Sequence, residues 1–470
     1  MNSNIKYIST RGIGDPKSFK DVLLSGTAPD GGLYVPDVWP SIDAQWLGRL
    51  SGLSYEGLAS QIIQPFVGND IPGADFQKIV SSVYGMEQGR FEHSAITPLR
   101  QIGPNVWILE LFHGPTYSFK DIALQLLGKL FDYVLKKNNK RITIVGATSG
   151  DTGSAAIEGC KHKENIDVVI LHPYERTSEI QRRQMTTVHA HNVHNIAVKG
   201  TFDDWQNMVK SIFADPDIRE RHNLTSINSI NWMRIAAQMV YYAASSLALG
   251  SPRRPVSFVV PTGNFGNVYA AYCIRQLGLP VDQLVIANNN NRCLTYFLQS
   301  GQMKRGSVTP TISPSMDIQV PSNFERYLFE VLKRDHRMTA KLMNDLKVRR
   351  SFMMDDSRMQ QIRKDFRAQS VSDEETSDMM RICYETTGIL VDPHTAVGLA
   401  AAQEVHNDPA IPLICLACAH PAKFPLTVQK ATGKKPEFPE RLKEVMTMQE
   451  NYQTMEPNAR TLKTFISKLK

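Results

Sequence analysis

Three short stretches hold the residues best able to do chemistry: His113-Gly-Pro-Thr-Tyr-Ser-Phe-Lys-Asp121, Gly146-Ala-Thr-Ser-Gly-Asp-Thr-Gly153 and Pro261-Thr-Gly-Asn-Phe-Gly-Asn267. The first sets Lys120 beside an acid, after a Gly114-Pro115 turn and next to the bulky Phe119, where the amphipathic run Ile122 to Leu127 begins. A lysine taken at random is a solvated surface charge. An amine partly withdrawn from water at a helix start instead loses some preference for the ammonium form, which suits a Schiff-base amine and a proton carrier. The other two stretches are Gly-rich turns that each follow an apolar strand-type run and open a helix-type run, an arrangement that turns backbone N–H groups toward an anion. Thr148, Ser149 and Thr152 add hydroxyls to the first of these turns. Its G-x-x-x-G-x-x-G spacing fits neither a dinucleotide fingerprint nor a P-loop. Taken singly, such a loop is equally well a tight strand-to-helix turn with no ligand. Two of them together with a lysine point to a phosphorylated cofactor held covalently and to an acidic substrate.

These loops need a scaffold, and the pattern after Gly85 supplies one. Short β-branched runs at Val106 to Leu111, Ile142 to Val145, Val168 to Leu171, Val256 to Val260, Leu284 to Ala287 and Leu413 to Ala417 read as strands. Helical patterns fall between them, including Ile122 to Leu135, Trp232 to Leu249 and Ala396 to Val405. Strand and helix in alternation predict an α/β fold with a largely parallel sheet, whose ligands bind beyond the carboxyl ends of the strands. Residues 1–90 read as a separate unit, with a turn cluster at Gly26 to Gly32 and helix-like runs at Tyr55 to Val67 and Phe76 to Tyr84.

With 470 residues, 42% hydrophobic and 21% charged, the chain has the composition of a soluble globular protein of two or three domains. Its six cysteines lack the paired spacing of a zinc site or a secreted scaffold, so a reducing cytoplasm is expected. The N-terminus shows no signal-peptide core, and the apolar stretch Ala236 to Leu249 is broken by Gln238, Ser245 and Ser246; neither export nor membrane insertion is expected. The net charge of +7 could suggest nucleic acid, but between Val331 and Ser370 eleven Lys and Arg stand against five Asp, which concentrates the excess in one segment. There Val331, Leu332, Met338, Leu342 and Met343 are spaced as on one helix with a solvated charged face, and no nucleic-acid motif accompanies it.

Other constellations carry less. Cys415-x-x-Cys418 resembles a redox pair, yet residues three apart on a strand face opposite sides, which favours two core cysteines. His189-x-His191-x-x-His194 has no matching acid or cysteine cluster, so structural or surface histidines are expected and no metal. No HExxH and no GxSxG is present.

The three stretches, together with Ser313-Pro-Ser-Met-Asp-Ile-Gln-Val-Pro-Ser-Asn-Phe-Glu-Arg326, Asp392-Pro-His-Thr-Ala-Val-Gly398 and Ala419-His-Pro-Ala-Lys-Phe424, resemble the threonine synthase family. Tyr7-Ile-Ser-Thr-Arg-Gly12 and Asp30-Gly-Gly-Leu-Tyr-Val-Pro36 resemble that family's N-terminal domain, so the likeness runs across essentially the whole chain in order. The resemblance implies a pyridoxal-phosphate enzyme of the tryptophan-synthase-β type (fold type II). Its architecture would be a two-lobed parallel-sheet catalytic core behind an N-terminal domain at residues 1–90. The catalytic region would span 91–470, with a smaller lobe around 91–200 and a larger one around 201–470.

The implied reaction converts O-phospho-L-homoserine and water to L-threonine and phosphate, the last step of threonine biosynthesis. Lys120 would be joined to the cofactor's aldehyde, and Gly263, Asn264, Phe265, Gly266 and Asn267 would hold its phosphate. Thr148, Ser149, Asp151 and Thr152 fall in the loop that the family uses around the substrate's anionic groups. Arg234 and Lys423 are candidate partners for the substrate phosphate. Where the family commonly has Thr against the pyridine nitrogen, this chain has Cys418, a poorer hydrogen-bond donor. Asn267 stands where an acid is frequent.

The implied partner is the small-molecule substrate, in a monomer or homodimer. The residues also leave room for another pyridoxal-phosphate lyase of the same fold, such as an amino-acid dehydratase, and for a non-catalytic relative used as a binding protein.

Overall fold

The computed structural model describes residues 5–40, 43–148, 150–175, 177–200, 202–405 and 408–469. They form two compact units, one of residues 1–22, 27–113 and 229–437, the other of residues 23–26, 114–228 and 438–470. The unit edges at 113, 228 and 437 differ from the expected lobe boundary near 200.

The first unit holds a six-stranded sheet in the order Arg367–Ser370, Val281–Asn288, Val256–Pro261, Leu413–Ala417, Val106–Glu110, Leu99–Gly103. Every neighbouring pair is parallel except the last, where Leu99–Gly103 runs antiparallel to Val106–Glu110. Val256–Pro261 and Leu413–Ala417 are buried along their whole length, as central strands of a covered sheet must be. The helix Pro393–Val405 packs its alanines and Val397 onto one face of the sheet. The N-terminal segment belongs to this unit. Tyr7, Trp39 and Phe66 gather around Trp232, the fully buried first residue of the helix Trp232–Ala248, with ring centroids 5.7–6.1 Å from it. Arg11 pairs with Glu325 at 2.8 Å, and Thr10 donates to the same carboxylate.

The basic segment departs from the single helix expected there. Lys333 and Arg334 take left-handed backbone angles, φ 54° and 63°, and Asp335 accepts from the Met338 N–H to start a new helix. Two helices, Phe324–Val331 and His336–Val348, therefore stand in place of one.

The second unit holds a five-stranded, wholly parallel sheet in the order Gln453–Met455, Val193–Val198, Ile166–Pro173, Ile142–Ala147, Leu224–Thr225. Its edge strand Gln453–Met455 comes from the far end of the chain, and the following helix Ala459–Ile466 buries Leu462 and Ile466 beside Trp205, Met208 and Ile212. Among the described residues no helix is long and apolar enough to cross a membrane.

Candidate active site

Lys120 is the first residue of the helix Lys120–Asn138. The turn before it is braced by Asp121, whose fully buried carboxylate accepts from the Thr116 N–H at 2.7 Å and the Thr116 hydroxyl at 2.8 Å. Gly114 makes room for that brace, since a Cβ there would lie 2.5 Å from Asp121 Cβ. With the turn fixed, Lys120 Nζ lies 3.2 Å from Asp151 Oδ2 and 4.9 Å from the centroid of the Phe119 ring. The two charged side chains are 12% and 3% exposed. Asp151 opens its own helix, Asp151–Cys160, and its second oxygen accepts from Gln181 Nε2 at 3.1 Å. The amine is therefore not merely withdrawn from water, as the sequence suggested; a buried carboxylate answers its charge.

The same loop places two other expected residues. Thr148 ends the strand by donating its N–H to Leu171 O at 2.9 Å, and its hydroxyl accepts from the Gly150 N–H at 3.2 Å. Thr152 is the half-buried second residue of the Asp151 helix. Ser149 lies outside the described residues.

The second turn, in the other unit, is held from every side. Thr262 donates to Ala287 O and accepts from Asn288 Nδ2, both at 2.9 Å. Gly263 has no room for a side chain, because a Cβ would sit 2.8 Å from Ser315 O. The Asn264 carbonyl accepts from both the N–H and Nδ2 of Asn323 at 3.1 Å. Phe265 takes the left-handed φ of 64° and is wedged edge-on between Phe324 and Phe366. Gly266 opens the helix Gly266–Gln276, and Asn267 Oδ1 accepts from the hydroxyls of Tyr241 and Tyr242.

Several donors are then left over. The N–H groups of Gly263, Asn264 and Phe265 make no hydrogen bond to any described residue, and Asn267 Nδ2 is buried without a partner. Unsatisfied donors at a helix start, with no carboxylate among the residues of the turn, fit a phosphate monoester.

Behind Gly263, Ser315 is positioned by a buried relay. Its N–H donates to His394 Nε2 at 3.1 Å, and His394 Nδ1 meets Asp392 Oδ2 at 2.7 Å. His394 is 3% exposed and Asp392 wholly buried. The Asp392-Pro-His motif thus shapes the wall of the turn.

Arg234 lies in the first turn of the helix Trp232–Ala248, buried, with Nε unbonded and no ion pair among the described residues. Burial lowers its pKa to about 10. Cys418, just past the strand Leu413–Ala417, is 7% exposed. Lys423 ends the short turn Pro421–Lys423 and is 1% exposed.

Lys120, Asp151, Thr148 and Thr152 thus come together in one unit. In the other, Asn267 of the 263–267 turn is bonded to Tyr241, which shares the helix Trp232–Ala248 with Arg234. The two cysteines are buried free thiols, as expected, although Cys418 lies one residue past the strand: Cys415 Sγ is 3.9 Å from Thr395 O and Cys418 Sγ 4.0 Å from Leu416 O. His189 Nε2 bonds to Gln449 O at 3.0 Å, and His194 lies 3.9 Å from Asp167. Sequence reasoning missed Tyr241, Tyr242, Asn323 and His394 as supports. For the tyrosines a signal existed: Arg234, Gln238, Tyr241 and Tyr242 recur at i, i+4, i+7 and i+8, one polar face on an otherwise apolar helix.

Comparison with known proteins agrees with this geometry. Family models match in order: the threonine synthase N terminus at residues 6–84, a pyridoxal-phosphate dependent enzyme at 91–343, and the threonine synthase C-terminal region at 395–466. The chain is 47% identical to the threonine synthase of Pseudomonas aeruginosa, over 98% of each chain. It is 41% identical to that of Saccharomyces cerevisiae, over 97% of this chain and 96% of the yeast protein. A pyridoxal-phosphate-bound threonine synthase structure from Brucella melitensis superposes with a TM-score of 0.95 at 44% identity, covering 98% of both chains. With identity this high over nearly its full length, the chain belongs to the threonine synthase family.

Proposed function

We infer that the chain catalyses the pyridoxal-phosphate-dependent conversion of O-phospho-L-homoserine and water to L-threonine and inorganic phosphate. The observation that carries this is the set of unsatisfied donors at Gly263, Asn264, Phe265 and Asn267, in a chain that matches a pyridoxal-phosphate-bound relative over 98% of its length.

When bound, pyridoxal phosphate supplies an electron-accepting ring that makes the substrate Cα–H acidic. The protein's own groups do the rest. Lys120 would hold the aldehyde and, as a free amine, would take protons from Cα and Cβ and return them to Cγ and Cα, with Asp151 and Gln181 fixing where that amine sits. Gly263, Asn264, Phe265, Gly266 and Asn267 would hold the cofactor phosphate, and Cys418 would serve as the partner of the ring nitrogen. Thr148, Ser149, Asp151 and Thr152 would serve the substrate's anionic groups. Arg234 and Lys423 would stabilise the phosphate as it leaves Cγ; Cγ would then take up a proton to become the methyl group, Cβ the hydroxyl of water, whose other proton goes to the released phosphate, and Cα a proton in the last step. Residues 1–90 form the family's N-terminal domain, and the enzyme works in the cytoplasm as a monomer or homodimer.

The test is to supply purified protein with O-phospho-L-homoserine and measure inorganic phosphate and threonine together, with Lys120→Ala as control. Equimolar phosphate and threonine, both lost in the variant, are expected. Ammonia and an oxo acid in place of threonine would instead identify a dehydratase.

A further inference from the structure

Asn267 is the member of the 263–267 turn whose buried carboxamide is bonded through its oxygen and unpartnered at its nitrogen. A carboxamide presents an acceptor oxygen on one side and a donor nitrogen on the other, and only the nitrogen can serve a phosphate. Here the hydroxyls of Tyr241 and Tyr242 both donate to Oδ1, and that of Tyr242 also reaches the Asn267 backbone carbonyl at 3.1 Å. Burial pushes both phenols well above their ordinary pKa, so they keep their protons and act as donors. They are also immobile. Both side chains are wholly buried, their ring centroids lie 4.8 Å apart, and Tyr242 stands edge-on to Phe258 of the strand leading into the turn, again at 4.8 Å. Nδ2, buried and unpartnered, is the atom left for an incoming acceptor.

We propose that Tyr241 and Tyr242 are positioning residues that fix Asn267 as a hydrogen-bond donor to the cofactor phosphate, and so set how strongly the chain prefers the phosphorylated vitamer over its free alcohol. This rests on assigning the 263–267 turn to the cofactor phosphate. Without the two hydroxyls the amide is free to rotate, and half of its orientations present an oxygen to the anion.

The experiment titrates cofactor-free protein with pyridoxal phosphate and, separately, with pyridoxal, following the visible band that either aldehyde forms at Lys120. Tyr241→Phe, Tyr242→Phe, the double variant and Asn267→Asp are compared with the parent. In the double variant the affinity for pyridoxal phosphate is expected to fall about tenfold, the scale of one hydrogen bond to a charged group, while that for pyridoxal stays within twofold. Asn267→Asp keeps the acceptor for both phenols but removes the donor, so it should lose phosphate selectivity at least as strongly. The 31P resonance of bound cofactor should move in the double variant. Equal weakening toward both vitamers, or none toward either, would overturn the positioning role. An unchanged phosphate preference in Asn267→Asp would overturn the donor role. A parent with no preference for the phosphorylated form would overturn the cradle assignment as well.

Discussion

Lys120 Nζ and Asp151 Oδ2 meet at 3.2 Å from the first residues of two different helices, one carrying the amine and the other its counter-charge. Replacing Asp151 by Asn keeps a partner for Gln181 but withdraws the charge that holds the amine. Hydrogen bonds between charged groups contribute about 1.5–3 kcal/mol, so turnover of O-phospho-L-homoserine should fall about 10–100-fold. The cofactor's absorbance at Lys120 should persist. A phosphate-release assay beside a visible spectrum checks both, and full activity in Asp151→Asn would remove Asp151 from the machinery.

Gly263 supports a sharper prediction. An added methyl would meet the backbone of Ser315 at 2.8 Å and Met316 Cα at 3.3 Å, and the relay from His394 leaves that wall little freedom to retreat. Gly263→Ala should cost about 1–3 kcal/mol of stability, the usual range for overpacking, and weaken cofactor retention. Gly266→Ala, which meets only Asn323 Nδ2 at 3.1 Å, should be the milder of the two. Chemical denaturation of the two variants side by side gives the ranking.

The sequence made the strands Val256–Pro261 and Leu413–Ala417 legible because both are continuous β-branched or apolar runs, the mark of strands covered on both faces. It also marked the turns that follow strands, because glycine spacing there is a local signal. Arg367–Ser370 and Val193–Val198 escaped because polar residues interrupt them, Arg367, Gln369 and Ser370 in the first and His194 and Asn195 in the second. Gln453–Met455 pairs with Ile196–Val198 across more than 250 residues of chain, a long-range match that no local pattern encodes. Lys120 was legible as a type of residue in a type of turn. Its pairing with Asp151 was not, since that depends on how two helices dock.

Cys418 gives a test of cofactor electronics. A thiol is a weaker donor than a hydroxyl, so Cys418→Thr should leave turnover equal or modestly higher, while Cys418→Ala removes the donor. The cofactor's absorbance maximum is expected to differ between the Thr and Ala variants. Identical spectra and rates in the parent, Cys418→Ala and Cys418→Thr would exclude a role for the sulfur.

Stability should fall on mild acidification. Burial, reinforced by the nearby charge of His113, lowers the His420 pKa to about 4, and burial lowers that of His172 in the same direction. The folded state therefore keeps His420 neutral while the unfolded chain takes up a proton near the ordinary value of 6.5. The resulting stabilisation is complete above about pH 6.5 and is lost progressively as pH falls toward 4. Thermal midpoints measured at several points between pH 7.5 and 4.5 should decline, and the decline should be shallower in His420→Asn. Parallel curves for parent and variant would assign the effect to other groups.

The helices that carry Lys120 and Asp151 approach each other closely at two glycines further along their lengths. Gly128 of the Lys120 helix faces Gly159 of the Asp151 helix so closely that a Cβ on Gly128 would lie 2.6 Å from the Gly159 carbonyl carbon. A Cβ on Gly159 would in turn collide with the backbone oxygen of Leu124 and approach its carbonyl carbon to 3.1 Å. Both obstacles are backbone, which cannot rotate aside, so Gly128→Ala must push the helices apart. A destabilisation of about 1–3 kcal/mol or more is expected. Because the helices separate at the middle of one and the end of the other, about two turns from the charged pair, that pair should loosen as well. Gly128→Ala should therefore lower turnover beyond what its folded fraction explains, whereas Asp151→Asn already lacks the pair and should lose little more when the glycine is also replaced. Measuring the two single variants and the double variant for turnover per folded molecule settles this. Additive losses would mean that the helix spacing acts on turnover by a route other than this pair, and no loss per folded molecule in Gly128→Ala would mean that it acts on stability alone.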